Sequence, residues 1–162
     1  MYAYEPIPLS ERPRDRWFIA FFLMFACTSF FVDRYAALDV DMCGEQTMRG
    51  ALCWYGQTFD PLFLANPQWL RVISGISAWV FGPLYLLLAW AFWRGVESAR
   101  PPALVWAISI LYSLVLHLWM EFFGDYPSPR PFMMMLFYWP YVLVPVAVLI
   151  RLRETRPFSR ML

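Results

Sequence analysis

The stretch VISGISAWVFGPLYLLLAWAFW, residues 72–93, contains 22 residues without a charged side chain. About 20 apolar residues cross the hydrocarbon core of a membrane as an α-helix, because each residue adds about 1.5 Å of rise. Three more apolar runs occupy 17–32, 103–121 and 131–150. The run at 103–121 is interrupted by His117 and ends at Glu121. The sequence therefore predicts four transmembrane helices, at about 16–33, 69–94, 103–122 and 131–151.

The composition supports the same class of protein. Hydrophobic residues make up 60% of the 162-residue chain, which is more than a soluble core requires. The net charge is +1 and no basic cluster is present, so no nucleic-acid partner is expected. We expect an all-α membrane protein: a single antiparallel four-helix domain at 16–153, between tails at 1–15 and 154–162, with no cofactor. The first run lacks a small-x-small cleavage site and is expected to be retained.

The distribution of arginine predicts the orientation of the bundle. All 13 basic residues are arginine, and nine of them flank the helices on one side of the predicted membrane, against four on the other. Because cytoplasmic loops are enriched in arginine and lysine, both termini are expected in the cytoplasm. The absence of lysine is typical of a GC-rich, bacterial genome, and the termini carry no dilysine-type retrieval signal, so the expected location is a bacterial inner membrane.

The cysteines and the single histidine bear on two other features, a disulfide and a metal site. Cys43 and Cys53 share the loop at 34–68, which the predicted orientation places outside, where a disulfide is permitted. The spacing is equally compatible with two free thiols. One histidine cannot form the usual imidazole cluster, so no metal site is expected. No span contains GxxxG, so a close glycine-mediated dimer is not indicated. Other homodimers and a larger membrane complex remain open.

Polar side chains within the predicted spans are few and lie in the non-cytoplasmic half. Such groups are expensive in a membrane and tend to face the bundle interior or a cavity. The candidate ligand-binding residues are Asp33, Asp60, Ser29, Ser77, His117, Glu121, Tyr138 and Tyr141. A single pocket would bring these carboxylates and aromatic rings together, and we expect Asp33 and Asp60 to face the same cavity.

Each candidate also has a purely structural explanation, and the sequence leaves both open. The structural explanations are an i,i+4 pair of His117 with Glu121, pairing of Asp33 with Arg34 or Arg71, a turn or the cap of a short helix at Asp60, and a membrane-interface belt of Tyr138, Trp139 and Tyr141.

Five stretches resemble one known family. WYGQTFDPLFLANPQWL (54–70), FFVD (30–33) and YWPYVLVP (138–145) resemble the sigma-2 receptor branch of the EXPERA superfamily. FGPL (81–84) and LYSLVLHLWME (111–121) resemble its emopamil-binding branch, the sterol double-bond isomerases. The resemblance extends from about residue 17 to 153 in the same order. It implies a four-helix bundle with cytoplasmic termini and a lipid-facing pocket that sterols and amphiphilic amines enter.

Carried over by motif, the two pocket aspartates of the receptor branch correspond to Asp33 and Asp60, and Glu121 matches a glutamate of the isomerase branch. The acid/base set of the isomerases is incomplete, because positions 29, 74 and 138 hold serine, serine and tyrosine in place of histidine, glutamate and asparagine. The receptor branch has a glutamate where this chain has Ser77. We therefore expect binding of a sterol, hopanoid or other isoprenoid lipid, or of an amphiphilic amine. The alternatives are an isomerase that uses Asp33, Asp60 and Glu121, and an accessory subunit of a larger membrane complex.

Overall fold

The computed structural model describes residues 4–44 and 47–161, which form six helices and a short two-stranded sheet. The elements are β1 (Tyr4–Pro6), α1 (Pro13–Ala37), α2 (Thr47–Thr58), α3 (Pro61–Ala65), α4 (Gln68–Arg94), α5 (Arg100–Phe123), α6 (Pro131–Arg151) and β2 (Ser159–Met161). Two 3-10 turns, Leu9–Glu11 and Glu97–Ala99, precede α1 and α5. Four helices, α1, α4, α5 and α6, are long and apolar enough to cross a membrane. The prediction of an all-α, four-helix membrane protein is confirmed.

The helices extend beyond the predicted bounds at several ends. Helix α1 begins at Pro13 and ends at Ala37, and α5 begins before Pro101 and Pro102. Proline is tolerated in the first turn of a helix, where its missing N–H has no acceptor within the helix. The loop at 34–68 is also more regular than its sequence indicates, because it contains the end of α1 and the whole of α2 and α3.

Aromatic rings and small side chains form the core. Helix α1 packs along α4, and α5 packs along α6. The rings of Phe22 and Trp106 meet edge to face at 5.2 Å, and Phe25 stacks on Tyr141 at 4.5 Å. Ala26, Ala89, Ala91, Ala103 and Ala107 are all buried between the helices. Small residues allow helix backbones to approach closely in a membrane, where dispersion forces replace the hydrophobic effect between helices.

Two π-helical turns interrupt the first pair of spans and lie against each other. They occupy Ser29–Asp33 in α1 and Ser77–Phe81 in α4. Pro83 explains the second turn, because it has no N–H to donate to the carbonyl of Trp79 four residues earlier. Gly82 allows close contact with α1, since an added Cβ would lie 3.0 Å from the ring of Phe30. The two turns place Ser29, Asp33 and Ser77 at the interface of α1 and α4.

The two terminal segments pack on one end of the bundle. Strands β1 and β2 pair antiparallel, with Tyr4 opposite Met161. Asp15 is buried and accepts hydrogen bonds from Arg12 at 2.5 Å and from Arg151 at 2.8 Å. Both termini therefore lie at the same end of the bundle, and their placement on the cytoplasmic side remains a prediction.

The long loop covers the opposite end. Cys43 and Cys53 form a disulfide that links the start of this loop to α2, with their Cα atoms 4.8 Å apart. The side-chain amide of Asn66, which ends α3 in a left-handed conformation, donates to the carbonyl of Ala36 at 3.0 Å. Leu62 and Phe63 are the buried residues of α3. The loop thus folds back over the bundle and carries Asp60 inward.

Candidate functional site

Asp60 is fully buried and caps α3. Its Oδ1 accepts a hydrogen bond from the backbone N–H of Phe63 at 2.7 Å. Pro61 occupies the first helical position, where its fixed φ suits the helix. The helix cap considered in the sequence analysis is therefore present, and it uses only one oxygen of this carboxylate.

The other oxygen of Asp60 faces a hydrogen-bonded chain. Asp60 Oδ2 accepts from the hydroxyls of Tyr138 at 2.8 Å and Tyr55 at 3.0 Å. Tyr138 Oη lies 2.7 Å from Nε2 of His117. Because the single hydroxyl hydrogen of Tyr138 goes to Asp60, the bond with His117 requires Nε2–H to donate to Tyr138. The chain runs from His117 through Tyr138 to Asp60.

Tyr55 remains a donor to this carboxylate over the physiological pH range. Its burial raises the pKa of its hydroxyl above the ordinary value, and the negative charge of Asp60 raises it further. Both effects disfavour the phenolate.

Glu121 completes the group on α5. It is fully buried, and neither of its carboxylate oxygens has a hydrogen-bond partner among the described residues. Its Oε1 lies 3.6 Å from Nε2 of His117, which is longer than a hydrogen bond. Asp60, His117 and Glu121 each have a potential ligand atom within 4.8 Å of the other two. We call these three residues with Tyr55 and Tyr138 the Asp60 cluster.

Asp33 lies in a second group, built on the two π-helical turns. Its Oδ2 accepts from Ser77 at 2.5 Å and from Ser29 at 3.3 Å. The two serine hydroxyls are themselves 3.0 Å apart. Arg71, one of the arginines considered as a partner for Asp33, instead pairs with Asp39 at 2.6 Å. Serine hydroxyls, rather than arginine, therefore stabilise Asp33.

Tyr141 also points into the bundle. Its hydroxyl lies 2.7 Å from Oγ1 of Thr28, and its ring stacks on Phe25. Trp139, between the two tyrosines, is exposed at the outer surface of the bundle. Tyr138 and Tyr141 thus have interior partners, and Trp139 has the placement expected of an aromatic belt.

The clusters of Asp33 and Asp60 have separate hydrogen-bond partners in the part of the chain that the structure describes. Two clefts, of about 500 and about 200 Å³, lie elsewhere: the larger at the end that holds both termini, the smaller beside Asp39 and Met42. Neither is lined by Asp33, Asp60 or Glu121. A shared cavity for Asp33 and Asp60 remains a prediction.

Two residues that contact the candidates were not themselves candidates from the sequence. Tyr55 donates to Asp60, and Thr28 contacts Tyr141. Tyr55 lies only five residues before Asp60 in the stretch that resembles the receptor branch, so it had a sequence signal. Thr28 had none, because its contact joins residues 113 positions apart.

A family model described as EXPERA (EXPanded EBP superfamily) matches residues 47–152. The chain belongs to the EXPERA superfamily. The match covers α2 to α6 and includes every candidate site residue except Ser29 and Asp33, which precede it. No curated protein and no solved structure matches the chain. With its four membrane-spanning helices, this EXPERA protein is an integral, multi-pass membrane protein.

Proposed function

We propose that this EXPERA protein binds a sterol, a hopanoid or another isoprenoid lipid, or an amphiphilic amine, through carboxylates and aromatic rings within its membrane domain. The observation that supports the proposal is the complete burial of Asp60 and Glu121 without an arginine partner in the described residues. A buried carboxylate without a counter-ion is unfavourable, so a hydroxyl or ammonium group of a ligand would stabilise it.

The surroundings of Glu121 suit the polar end of an amphiphile. Its two oxygens have unused acceptor capacity, and the rings of Trp69 and Tyr138 lie 6.3 and 4.8 Å from that of His117. Aromatic faces attract an ammonium group, and desolvation strengthens that attraction. The apolar part of the ligand would lie among the hydrocarbon-facing side chains of the spans. Asp33, Ser29, Ser77 and Tyr141 would form a second polar contact for the same ligand.

Double-bond isomerisation is the second candidate, supported by the chain from His117 through Tyr138 to Asp60. In this reaction an acid adds a proton to one alkene carbon, and a base removes a proton from a carbon adjacent to the resulting cation. The double bond moves without any net oxidation or reduction. Glu121 and Asp60, which have carboxylate oxygens within 4.8 Å of each other, are the pair for these two roles, with Asp33 as a further carboxylate. The missing family residues at positions 29 and 74 place this candidate second.

Lipid extraction and mass spectrometry of the purified protein test the binding proposal. We expect a stoichiometric isoprenoid lipid with the wild type, and reduced retention in Asp60→Asn and Glu121→Gln. Loss of one charge-assisted hydrogen bond should weaken binding of an amphiphilic amine by about 1–3 kcal/mol. Asp41→Asn is the control, because Asp41 is exposed in the loop.

Equal lipid retention by Glu121→Gln and the wild type would show that Glu121 has only a structural role. A lipid-free protein that co-purifies with other membrane polypeptides would contradict the proposal and favour the accessory-subunit alternative. Incubation with a deuterated buffer distinguishes binding from isomerisation, because only the latter incorporates deuterium into the bound lipid.

A further inference from the structure

We propose that Asp60, His117 and Glu121 form a binding site for one divalent transition-metal ion, with Zn²⁺ as the best-fitting ion. The three side chains come from the α2–α3 corner and from two successive turns of α5. The proposal goes beyond lipid binding and does not depend on it. It also departs from the sequence-based expectation of no metal, which considered only clusters of histidine and cysteine.

The available lone pairs match the requirements of a metal ion. A carboxylate offers about four acceptor positions. Asp60 uses three of them for Phe63, Tyr55 and Tyr138, which leaves one on Oδ1. Glu121 uses none. The unpartnered oxygens of Glu121 are the group in this cluster that most needs a ligand, because a buried acceptor without a partner costs about 1–3 kcal/mol.

The separations are close to those of a coordinated ion. Zn²⁺ binds nitrogen and oxygen at about 2.0–2.2 Å, so two ligand atoms of a tetrahedral ion are about 3.3–3.6 Å apart. The three potential ligand atoms lie within 4.8 Å of one another, and Oε1 of Glu121 is 3.6 Å from Nε2 of His117. The separation of Glu121 and His117 already fits, and side-chain rotations that shorten the longest separation by up to about 1.2 Å would bring all three atoms onto one ion.

The charges of Asp60 and Glu121 also favour a divalent cation. If both are ionised, Asp60 and Glu121 carry a charge of −2, and no arginine pairs with either in the described part of the chain. A divalent cation neutralises both carboxylates. One shared proton would neutralise only one of them, so proton and metal are distinguishable occupants.

The tyrosines hold the ligands in place. Metal binding requires the lone pair of His117 Nε2, so the ring hydrogen moves to Nδ1 and the bond from Nε2 to Tyr138 is lost. Tyr55 and Tyr138 continue to donate to Oδ2 of Asp60 and so orient the carboxylate, whose Oδ1 has the remaining acceptor position. One nitrogen and two carboxylates suit Zn²⁺, and three protein ligands leave a fourth position open.

The test measures metal content and affinity in the full chain purified in detergent. A Cys27→Ser background removes the one free cysteine of the described residues, which lies exposed on α1. After equilibration with Zn²⁺ and removal of loose metal, mass spectrometry should find one Zn²⁺ per chain. Substitution of Co²⁺ should give the visible absorption of a low-coordinate ion. Tyr138→Phe should weaken Zn²⁺ affinity about 10- to 100-fold, the usual effect of losing an outer-shell partner.

The variants separate the metal from a proton. Glu121→Gln keeps the size of the side chain and should abolish stoichiometric Zn²⁺ and the Co²⁺ spectrum, whereas the exposed control Asp125→Asn should keep both. Circular dichroism of each variant verifies that it is folded. Substoichiometric Zn²⁺ in the wild type, or equal Zn²⁺ in Glu121→Gln, would overturn the metal site. Lipid retention measured on the same samples evaluates the proposed function independently.

Discussion

Replacement of Asp15 by asparagine should destabilise the protein strongly, although Asp15 lies in the first turn of α1, at the edge of the first span. The carboxylate is buried and accepts one hydrogen bond from Arg12 and two from Arg151. Both guanidinium groups also bond to backbone carbonyls, those of Phe92 and Pro157 among them. Asp15→Asn therefore leaves two guanidinium groups in a protein environment without their counter-charge.

The expected loss is about 3–5 kcal/mol, the range for removing one partner of a buried ion pair. The side chain of Arg151 is 22% exposed, which favours the lower part of that range. For a chain of this length, each kcal/mol lowers Tm by about 2–4 °C, so the expected decrease is about 6–20 °C. Near-ultraviolet circular dichroism during heating in detergent measures it.

Asp39→Asn is the matched control. Asp39 pairs with Arg71 at a similar distance, but the two side chains are 53% and 41% exposed. Exposed pairs contribute about 0–1 kcal/mol. Asp39 has a φ of 55°, which asparagine also tolerates, so the substitution introduces little backbone strain. If Asp15→Asn lowers Tm no more than Asp39→Asn, burial does not determine the strength of these pairs, and the reasoning is refuted.

Three further predictions concern α2, the topology and the response to alkali. Gly56→Ala should cost about 1–3 kcal/mol by overpacking, because the new Cβ would overlap Cγ of Leu64. Gly50→Ala in the same helix meets nothing within 4 Å and should stabilise by about 0.5–1 kcal/mol. Equal thermal shifts of the two variants would contradict this prediction. Reporter fusions should give a cytoplasmic signal at Ser98 and an outside signal at Pro127, and an outside signal at Ser98 would show that the orientation is wrong. Because the pKa of Tyr55 is raised in the folded state, the stability that Tyr55 contributes is present below about pH 10 and declines as the pH rises towards the raised pKa. In thermal unfolding above about pH 10, Tyr55→Phe should therefore lose less stability than the wild type. An equal loss in the two proteins would contradict the raised pKa of Tyr55.

The four spans could be predicted because membrane thickness requires long apolar runs, and hydropathy reports these directly. The ends of the helices were less predictable. The predicted bounds placed Arg12 and Asp15 in the tail at 1–15, but Asp15 bonds to Arg151, 136 residues away. No local spacing encodes a contact between residues so far apart. The same holds for the hydroxyls of Thr28 and Tyr141, which meet only once α1 and α6 are packed together.

Of the two π-helical turns, only one could be predicted from the local sequence. Pro83 marks the turn in α4, because the lost hydrogen bond to Trp79 is determined by the sequence. The turn at Ser29–Asp33 in α1 has no such marker. It lies against the turn in α4, and Asp33 there accepts from Ser77 across the interface. Its position therefore depends on tertiary contacts.

Asp60 explains why capping and binding were difficult to separate from the sequence. An aspartate before a proline is typical of a helix N-cap, and a buried aspartate near tyrosines is typical of a site. The structure uses Oδ1 for the backbone N–H of Phe63 and Oδ2 for Tyr55 and Tyr138. The capping bond holds α3 and thereby orients the oxygen that faces the tyrosines. A neutral asparagine can keep the capping bond through its side-chain oxygen, but it loses the charge that a cation would require. Asp60→Asn is therefore a more specific test of the site than Asp60→Ala, which also removes the cap.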